Sequence, residues 1–221
     1  SKWQAGSFIE HLKFPENKLF VTKNGINPDL FQSYKDFFTR KMKIVYSSTP
    51  FRGLKEMLEY FPLIKAEIKE AELDVFSGMQ IYGVSREEDK KLYGDIYDLA
   101  LKQAGVNFYG PVSQKELAEH LSESLVLAYP NKFAETFCIS VLEAQAAGTV
   151  PVTSNLGALP ERVENTADGF LIDGDSRLRD YRDKFIEKII FLLKDRQKWS
   201  EMSLKSRSKA LGSYSYDQLA L

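Results

Sequence analysis

From residue 43 onward, six short apolar runs alternate with longer segments in which apolar residues recur at helical spacing. The runs are predicted strands at 43–47, 72–76, 106–109, 125–129, 150–153 and 170–172. Strands that alternate with helices are joined by right-handed crossovers, so the strands are parallel and helices cover both faces of the sheet. The sequence therefore predicts a Rossmann-like, doubly wound α/β fold with about six parallel strands.

Several local signals set finer expectations. Pro62 lies inside a helical pattern and should kink or end that helix. Ser113 and Glu116 match a capping box and should start a helix. A helix is predicted from 136 to 147, and Gly148 should end it. A β-rich run at 18–22, closed by an Asn-Gly turn signal, predicts one further short strand.

The charge and the residue counts limit the functions that this chain can have. The formal net charge is −1, so the basic excess of a nucleic-acid-binding domain is missing. One cysteine and two histidines offer no metal-ligand cluster, and a single cysteine rules out an internal disulfide. No apolar run approaches the roughly 20 residues of a membrane helix, and no signal peptide is recognisable. We expect a cytoplasmic protein, and the chain reads as a piece of a longer one.

The loops after the strands carry the candidate chemistry, because ligands of such folds bind at the carboxyl ends of the strands. Glu135 and Glu143 flank the start of the helix predicted at 136–147. If both were helical they would be about 12 Å apart, which is too far for a carboxylate pair acting on one bond. The amides of Phe137, Cys138 and Ile139 would lie in the first turn and form an anion site. A site with a phosphate-binding centre between two hydroxyl-binding carboxylates suits a sugar nucleotide.

Each of these residues also has an ordinary structural interpretation. Glu135 would be favourable at any helix N-terminus, and Glu143 could be a solvated charge, although its apolar neighbours argue for a buried partner. Arg52, in the loop after the first strand, could bind phosphate or lie on the surface. Cys138 has no partner histidine that would make it a reactive thiol, and His120 is expected at the surface or an interface.

Taken together, these segments resemble family 4 of the retaining glycosyltransferases, which have the GT-B fold. The central match is the E-x7-E element from Glu135 to Glu143, which continues to residue 152 (EAQAAGTVPV). Similar segments in the same order are 24–27 (NGIN), 107–112 (NFYGPV), 157–161 (GALPE) and 169–172 (GFLI). The resemblance implies that residues 43–221 form the nucleotide-sugar donor-binding domain and that residues 1–42 form an interdomain segment.

The resemblance also implies roles for single residues. Glu135 would contact the donor sugar, and Glu143 would bind the ribose hydroxyls. The amides of residues 137–139 would hold phosphate or sugar. Arg52 would neutralise the leaving diphosphate, and the backbone of Val112 would lie near the base. The family needs neither a metal nor a further cofactor, since its donor is a UDP- or GDP-linked sugar.

The chain departs from the family pattern at three positions. Tyr46 stands where an arginine is common, so half of the usual phosphate clamp is missing from the 46–48 loop (Tyr46, Ser47, Ser48). Cys138 stands where a glycine is common, and Ala158 replaces the second glycine of a Gly-Gly pair. These departures indicate a divergent subfamily with a differently built diphosphate site.

The predicted function is the donor-binding half of a retaining glycosyltransferase. The acceptor, a sugar, lipid or protein, would be bound by a preceding domain, which could also contact a membrane surface. This chain alone is expected to bind donor weakly and to transfer nothing. The alternatives are a non-catalytic nucleotide-sugar-binding module and a GT-B nucleotide-sugar epimerase. An NAD-binding Rossmann protein is disfavoured because the glycine fingerprint is absent.

Overall fold

The computed structural model describes residues 1–219, in which the six predicted strands form one sheet. They are β1 (Lys43–Ser47), β2 (Glu72–Phe76), β3 (Val106–Phe108), β4 (Val126–Tyr129), β5 (Val150–Ser154) and β6 (Phe170–Ile172). Every pairing is parallel, and the strands are arranged in the order β3-β2-β1-β4-β5-β6. The predicted Rossmann-like α/β fold is confirmed.

Helices cover both faces of the sheet, and the core lies between them and the strands. The helices are α1 (Lys2–Leu12), α2 (Leu54–Glu67), α3 (Arg86–Lys102), α4 (Gln114–Glu123), α5 (Ile139–Ala147), α6 (Arg179–Lys194), α7 (Arg196–Tyr214) and α8 (Tyr216–Leu219). The capping prediction for α4 is confirmed, because Ser113 Oγ accepts a hydrogen bond from the Glu116 N–H at 3.2 Å. None of the helices within residues 1–219 is both long and apolar enough to cross a bilayer.

Helix α2 runs through Pro62, so of the two expected effects, a kink or an end, the end does not occur. A proline cannot donate to the carbonyl four residues earlier, which here belongs to Leu58. The side-chain amide of Gln103 donates to the Leu58 oxygen at 2.9 Å instead. The carbonyl that Pro62 leaves free therefore has a partner from another element, and the helix continues to Glu67.

The short strand predicted at 18–22 is also wrong. Residues 16–18 form a 3₁₀ turn, and the chain beyond them is extended without pairing to the sheet. Phe20 is 90% exposed there. An apolar, β-rich run forms a strand only where a neighbour supplies ladder hydrogen bonds, and among the described residues none does so here.

Residues 26–42 pack onto the sheet domain. Ile26 and Phe31 are buried in its core. Arg40 is 7% exposed, and its guanidinium donates to the carbonyls of Ser124 at 2.7 Å and Ala147 at 2.7 Å. Cations at the carboxyl ends of helices are favourable. The assignment of 1–42 to an interdomain segment and of 43–221 to a donor domain concerns a longer protein and stays a prediction; residues 220 and 221 lie outside the described part.

Candidate functional site

The strand order creates a crevice at the carboxyl edge of the sheet. The connections from β1 and β4, which are neighbours, lead to opposite sides, and ligands of open α/β sheets bind at this type of switch point. A cleft of about 480 Å³ lies here. It is lined by the loops after β1, β2 and β3 and by the start of α5: Ser47, Ser48, Thr49, Arg52, Phe76, Ser77, Gly78, Ile81, Tyr82, Pro111, Val112, Gln114, Leu117, Ile139, Ser140 and Glu143.

Arg52 lines one end of the cleft and forms an ion pair with Glu135, which was predicted separately; Glu135 is buried and is not among the lining residues. Arg52 Nη1 lies 3.0 Å from Glu135 Oε1, and the two side chains are 18% and 7% exposed. The Arg52 guanidinium also stacks over the Phe133 ring at 4.7 Å. Burial alone would lower the pKa of Arg52, but the nearby Tyr129 and Glu135 raise it. This end of the cleft therefore presents a fixed positive charge beside a carboxylate.

Glu135 is fixed from two further directions. The Tyr129 hydroxyl donates to Glu135 Oε1 at 2.5 Å. On the other side the Ala158 N–H donates to the Glu135 carbonyl at 2.8 Å, and Gly157 packs so closely that a Cβ there would lie 2.6 Å from the Glu135 nitrogen. Gly157 has a φ of +61°, which glycine adopts without strain. The loop after β5 therefore supports Glu135 from behind.

Glu143 lies at a second end of the cleft, on α5. It is 8% exposed, and its only hydrogen-bond partner within residues 1–219 is the Gln114 side-chain amide at 3.4 Å. Burial raises the pKa of Glu143 to about 7, because the one weak hydrogen bond offsets little of the lost hydration. A buried carboxylate with free acceptor capacity suits a ligand that brings its own hydroxyl donors.

Helix α5 begins at Ile139, three residues later than the predicted start at 136. The delay arises at Cys138, which has a φ of 69° and so cannot belong to a right-handed helix. The first-turn amides therefore begin at Ile139, and Ile139 and Ser140 line the cleft. No side chain caps this helix start, so its N–H groups are free to bind an anion.

Phe137 and Cys138 lie behind the cleft instead of lining it. Phe137 is 6% exposed, and its ring stacks against the Arg162 guanidinium at 4.2 Å. Burial raises the pKa of the Cys138 thiol well above its usual value, which agrees with the low reactivity expected of it. Their roles in binding phosphate or sugar stay predictions; of residues 137–139, Ile139 alone lines the cleft.

Between the two polar ends the walls of the cleft are largely apolar. Val112, Pro111 and Leu117 come from the segment after β3, and Ile139 comes from the start of α5. An apolar slot flanked by a few polar groups is the common form of a small-molecule site. Val112 lines this cleft, and its place near a nucleotide base stays a prediction.

The loop that departs from the family pattern is only partly in the cleft. Ser47 and Ser48 line it. Tyr46 is fully buried, and its hydroxyl donates to the Thr49 carbonyl at 2.8 Å. Tyr46 therefore supports the loop from the core side. Arg52 is the one basic side chain among the described residues that line the cleft.

Glu161 connects this region to the start of the chain. Its carboxylate accepts the Lys2 N–H at 3.1 Å and the Trp3 N–H at 2.7 Å. It therefore sits at the N-terminus of α1, where the helix dipole favours an anion.

His120 is not part of the cleft and is more buried than predicted. Its Nδ1 lies 3.0 Å from Asp74 Oδ2, and its ring packs against Tyr109. Asp74 is fully buried and also accepts a hydrogen bond from Lys43 at 2.8 Å. Lys43 and Asp74 therefore form a buried ion pair, and His120 contacts the same carboxylate. We interpret these contacts as structural.

Sequence reasoning missed three side chains of the site. The sequence around Tyr82 indicates only a turn, which follows β2 and ends at Gly83. Gln114 is the first residue of α4, directly after the predicted cap. Tyr129 ends β4 and was predicted only as a strand residue. The sheet-edge rule points to all three positions, since each lies at or just beyond the carboxyl end of a strand.

Fold and cleft together define a GT-B-type α/β domain with a candidate small-molecule site at the carboxyl edge of its sheet. Residues 35–209 match the family described as glycosyl transferases group 1. The chain belongs to this family.

Curated relatives carry glycosyltransferase names. The chain is similar to a D-inositol 3-phosphate glycosyltransferase of Paenarthrobacter aurescens, with 33% identity over 77% of this chain and 43% of that protein. It is also similar to a GDP-mannose-dependent alpha-(1-6)-phosphatidylinositol monomannoside mannosyltransferase of Mycobacterium tuberculosis, with 28% identity over 77% of this chain and 43% of that one. The chain spans about two fifths of the length of these relatives.

Among solved structures, the chain is similar to Anabaena Alr3699/HepE in complex with UDP-glucose. The TM-score is 0.77 at 18% identity, and the match covers 100% of this chain and 61% of that one. At this identity the likeness shows the fold. It agrees with the parallel sheet described above.

Proposed function

We propose that this chain is the donor-binding domain of a retaining, family 4 glycosyltransferase that takes its sugar from a UDP- or GDP-linked donor. The observation that carries the proposal is one cleft lined by Arg52, by Glu143 and by an uncapped helix N-terminus, with Glu135 paired to Arg52. A nucleotide sugar has groups that match this set: a diphosphate, ribose hydroxyls and sugar hydroxyls.

In this proposal the protein acts by position and charge. The bond from the anomeric carbon to the diphosphate oxygen breaks, a bond to an acceptor hydroxyl oxygen forms on the same face of the sugar, and the proton of that hydroxyl passes to the departing diphosphate. Arg52 and the first-turn amides of α5 stabilise the negative charge that develops on the departing diphosphate. Glu135 holds sugar hydroxyls, and Glu143 holds the ribose, so the reacting carbon is oriented.

The whole protein's activity and partners extend this proposal. The relatives are more than twice as long as the matched part, which supports an acceptor site outside these residues. We expect the longer protein to be cytoplasmic, with contact to a membrane surface where its acceptor is a lipid. The chain alone is expected to bind donor weakly and to transfer no sugar.

The test is calorimetry of the chain with UDP, GDP, UDP-glucose and GDP-mannose. We expect one nucleotide class to bind, and expect Arg52→Ala and Glu143→Ala each to weaken it about tenfold or more. Matched controls are Arg179→Ala, whose side chain is 82% exposed, and Glu119→Ala on the exposed face of α4. Binding that survives both site substitutions, or a folded chain that binds no nucleotide, would contradict the proposal.

A second candidate is a nucleotide-sugar-binding module without transferase activity. The burial of Tyr46 favours it, since the arginine common at that position is missing and Arg52 carries the phosphate charge alone. Calorimetry cannot separate the two candidates, because both bind the donor. Sugar transfer by the full-length protein to an acceptor would exclude the module.

A further inference from the structure

We propose that Tyr82 is a positioning residue that orients the Arg52 guanidinium toward the donor diphosphate. This inference rests on the proposed function, because it concerns the same site. Tyr82 comes from the turn Gln80–Tyr82 after β2 and lines the cleft. Neither the family resemblance nor the relatives assign it a role.

The contacts of Arg52 define the arrangement. Arg52 Nη2 donates to the Tyr82 hydroxyl at 2.9 Å, while Nη1 faces Glu135 at 3.0 Å. The Phe133 ring stacks on the guanidinium at 4.7 Å. One hydrogen bond at Nη2, one ion pair at Nη1 and one stacking face together constrain the plane of the guanidinium. A guanidinium has five N–H donors, so donors remain for a phosphate.

The orientation of the Arg52 guanidinium matters more here than it would in a site with two basic residues. Tyr46 is turned into the core and donates to the Thr49 carbonyl, so it offers the cleft nothing. Arg52 is the one basic side chain that the described residues contribute to the lining. Bidentate pairing with phosphate depends on the plane of the guanidinium, and Tyr82 helps to set that plane.

The turn that carries Tyr82 is itself anchored. Asp89 is 4% exposed, and its Oδ2 accepts the Met79 N–H at 3.1 Å and the Gln80 side-chain amide at 2.9 Å. Its Oδ1 accepts the Tyr97 hydroxyl at 2.7 Å. Tyr82 is 53% exposed, so its position depends on this buried carboxylate and not on burial of its own ring.

The experiment compares Tyr82→Phe with wild type by calorimetry, using UDP and UMP, or GDP and GMP if that class binds. The substitution keeps the ring and removes the hydroxyl. We expect about a tenfold loss of affinity for the diphosphate and less than a twofold change for the monophosphate, because the terminal phosphate needs the oriented Arg52. Tyr93→Phe on α3 is the matched control, since its hydroxyl makes no hydrogen bond within residues 1–219.

A double-mutant cycle makes the readout specific to positioning. In an Arg52→Ala background, Tyr82→Phe should have no further effect on diphosphate binding. An equal loss for mono- and diphosphate, or an undiminished effect of Tyr82→Phe without Arg52, would overturn the proposal while leaving the donor site intact. Wild-type binding that Arg52→Ala weakens and Tyr82→Phe does not would also overturn it. If wild type binds neither nucleotide class, the proposed function fails and this inference with it.

Discussion

The guanidinium of Arg52 and the carboxylate of Glu135 lie 3.0 Å apart, held by loops from two different strands. Each partly neutralises the other, so a ligand that bears only phosphate meets less positive charge than Arg52 would offer alone.

The first prediction follows from this pairing. Glu135→Gln should bind UDP or GDP several-fold more tightly than wild type, because Arg52 is no longer neutralised. It should also lose the extra affinity that the intact nucleotide sugar gains from its hydroxyls. Calorimetry with the free diphosphate and the matching sugar donor measures both effects, with Glu119→Gln as the control. If Glu135→Gln bound the free diphosphate and the sugar donor more weakly by the same factor, Glu135 would not distinguish the two ligands.

The second prediction concerns stability and the pH. The pKa of Glu143 is about 7 in the folded chain, against an ordinary value of 4.5. The folded state therefore prefers the protonated form, and the free energy of unfolding should fall as the pH rises from about 4.5 and level off above about 7. The linked change is at most roughly 3 kcal/mol.

Urea unfolding at pH 5 and pH 8 checks this prediction. Glu143→Gln should be more stable than wild type at pH 8 and differ little from it at pH 5, because glutamine needs no ionisation. Glu119→Gln, at an exposed position, should keep the wild-type pH dependence. An unchanged slope in Glu143→Gln would mean that other groups produce it.

The third prediction concerns nucleotide binding and the pH. Ionised Glu143 accepts two hydroxyl hydrogen bonds, whereas the protonated form has less acceptor capacity. Affinity for the nucleoside diphosphate should therefore rise as the pH rises through about 7. The ligand phosphate titrates near pH 6, so the same titration of Glu143→Gln isolates its contribution. Identical profiles for the two proteins would remove Glu143 from ribose binding.

The fourth prediction tests the support behind Glu135. Gly157→Ala would place a methyl group 2.6 Å from the Glu135 nitrogen at a φ of +61°. We expect a loss of about 1–3 kcal/mol in the free energy of unfolding and weaker binding of the sugar donor. Gly212→Ala in α7 is the matched control, because a Cβ there meets nothing within 4 Å. That substitution should be neutral or stabilise the helix by about 0.5–1 kcal/mol.

The fifth prediction concerns backbone strain at Cys138. Its φ of 69° costs a side-chain-bearing residue about 1–2 kcal/mol, which exceeds the roughly 0.5–1 kcal/mol that glycine loses in chain entropy. Cys138→Gly should therefore be more stable than Cys138→Ala, since both lose the thiol and only alanine keeps the strain. Thermal or urea unfolding of the pair gives the answer. A more stable alanine variant would contradict the strain assignment.

The sheet could be predicted because its signals are local. Runs such as 43–47 and 72–76 alternate with helical stripes, and the order of elements determines that the strands are parallel. Helix ends were less predictable. Pro62 continues its helix only because Gln103, distant in the chain, supplies a donor to Leu58. The run at 18–22 has strand composition, yet among the described residues it has no partner strand.

The candidate site was predicted in its residues more than in its contacts. Arg52, Val112, Ile139 and Glu143 all line one cleft, as the sheet-edge rule indicates. The ion pair of Arg52 with Glu135 depends on two loops meeting in space, which no local pattern encodes. The contact of Arg52 with Tyr82 was missed for the same reason.

Glu161 gives the loop after β5 a second attachment. At one end of this loop Gly157 lies against the backbone of Glu135, and at the other Glu161 grips the first amides of α1. Through these two contacts the loop joins the start of α1 to the backbone of Glu135. The position of the carboxylate that pairs with Arg52 therefore depends on how α1 is packed as well as on the sheet.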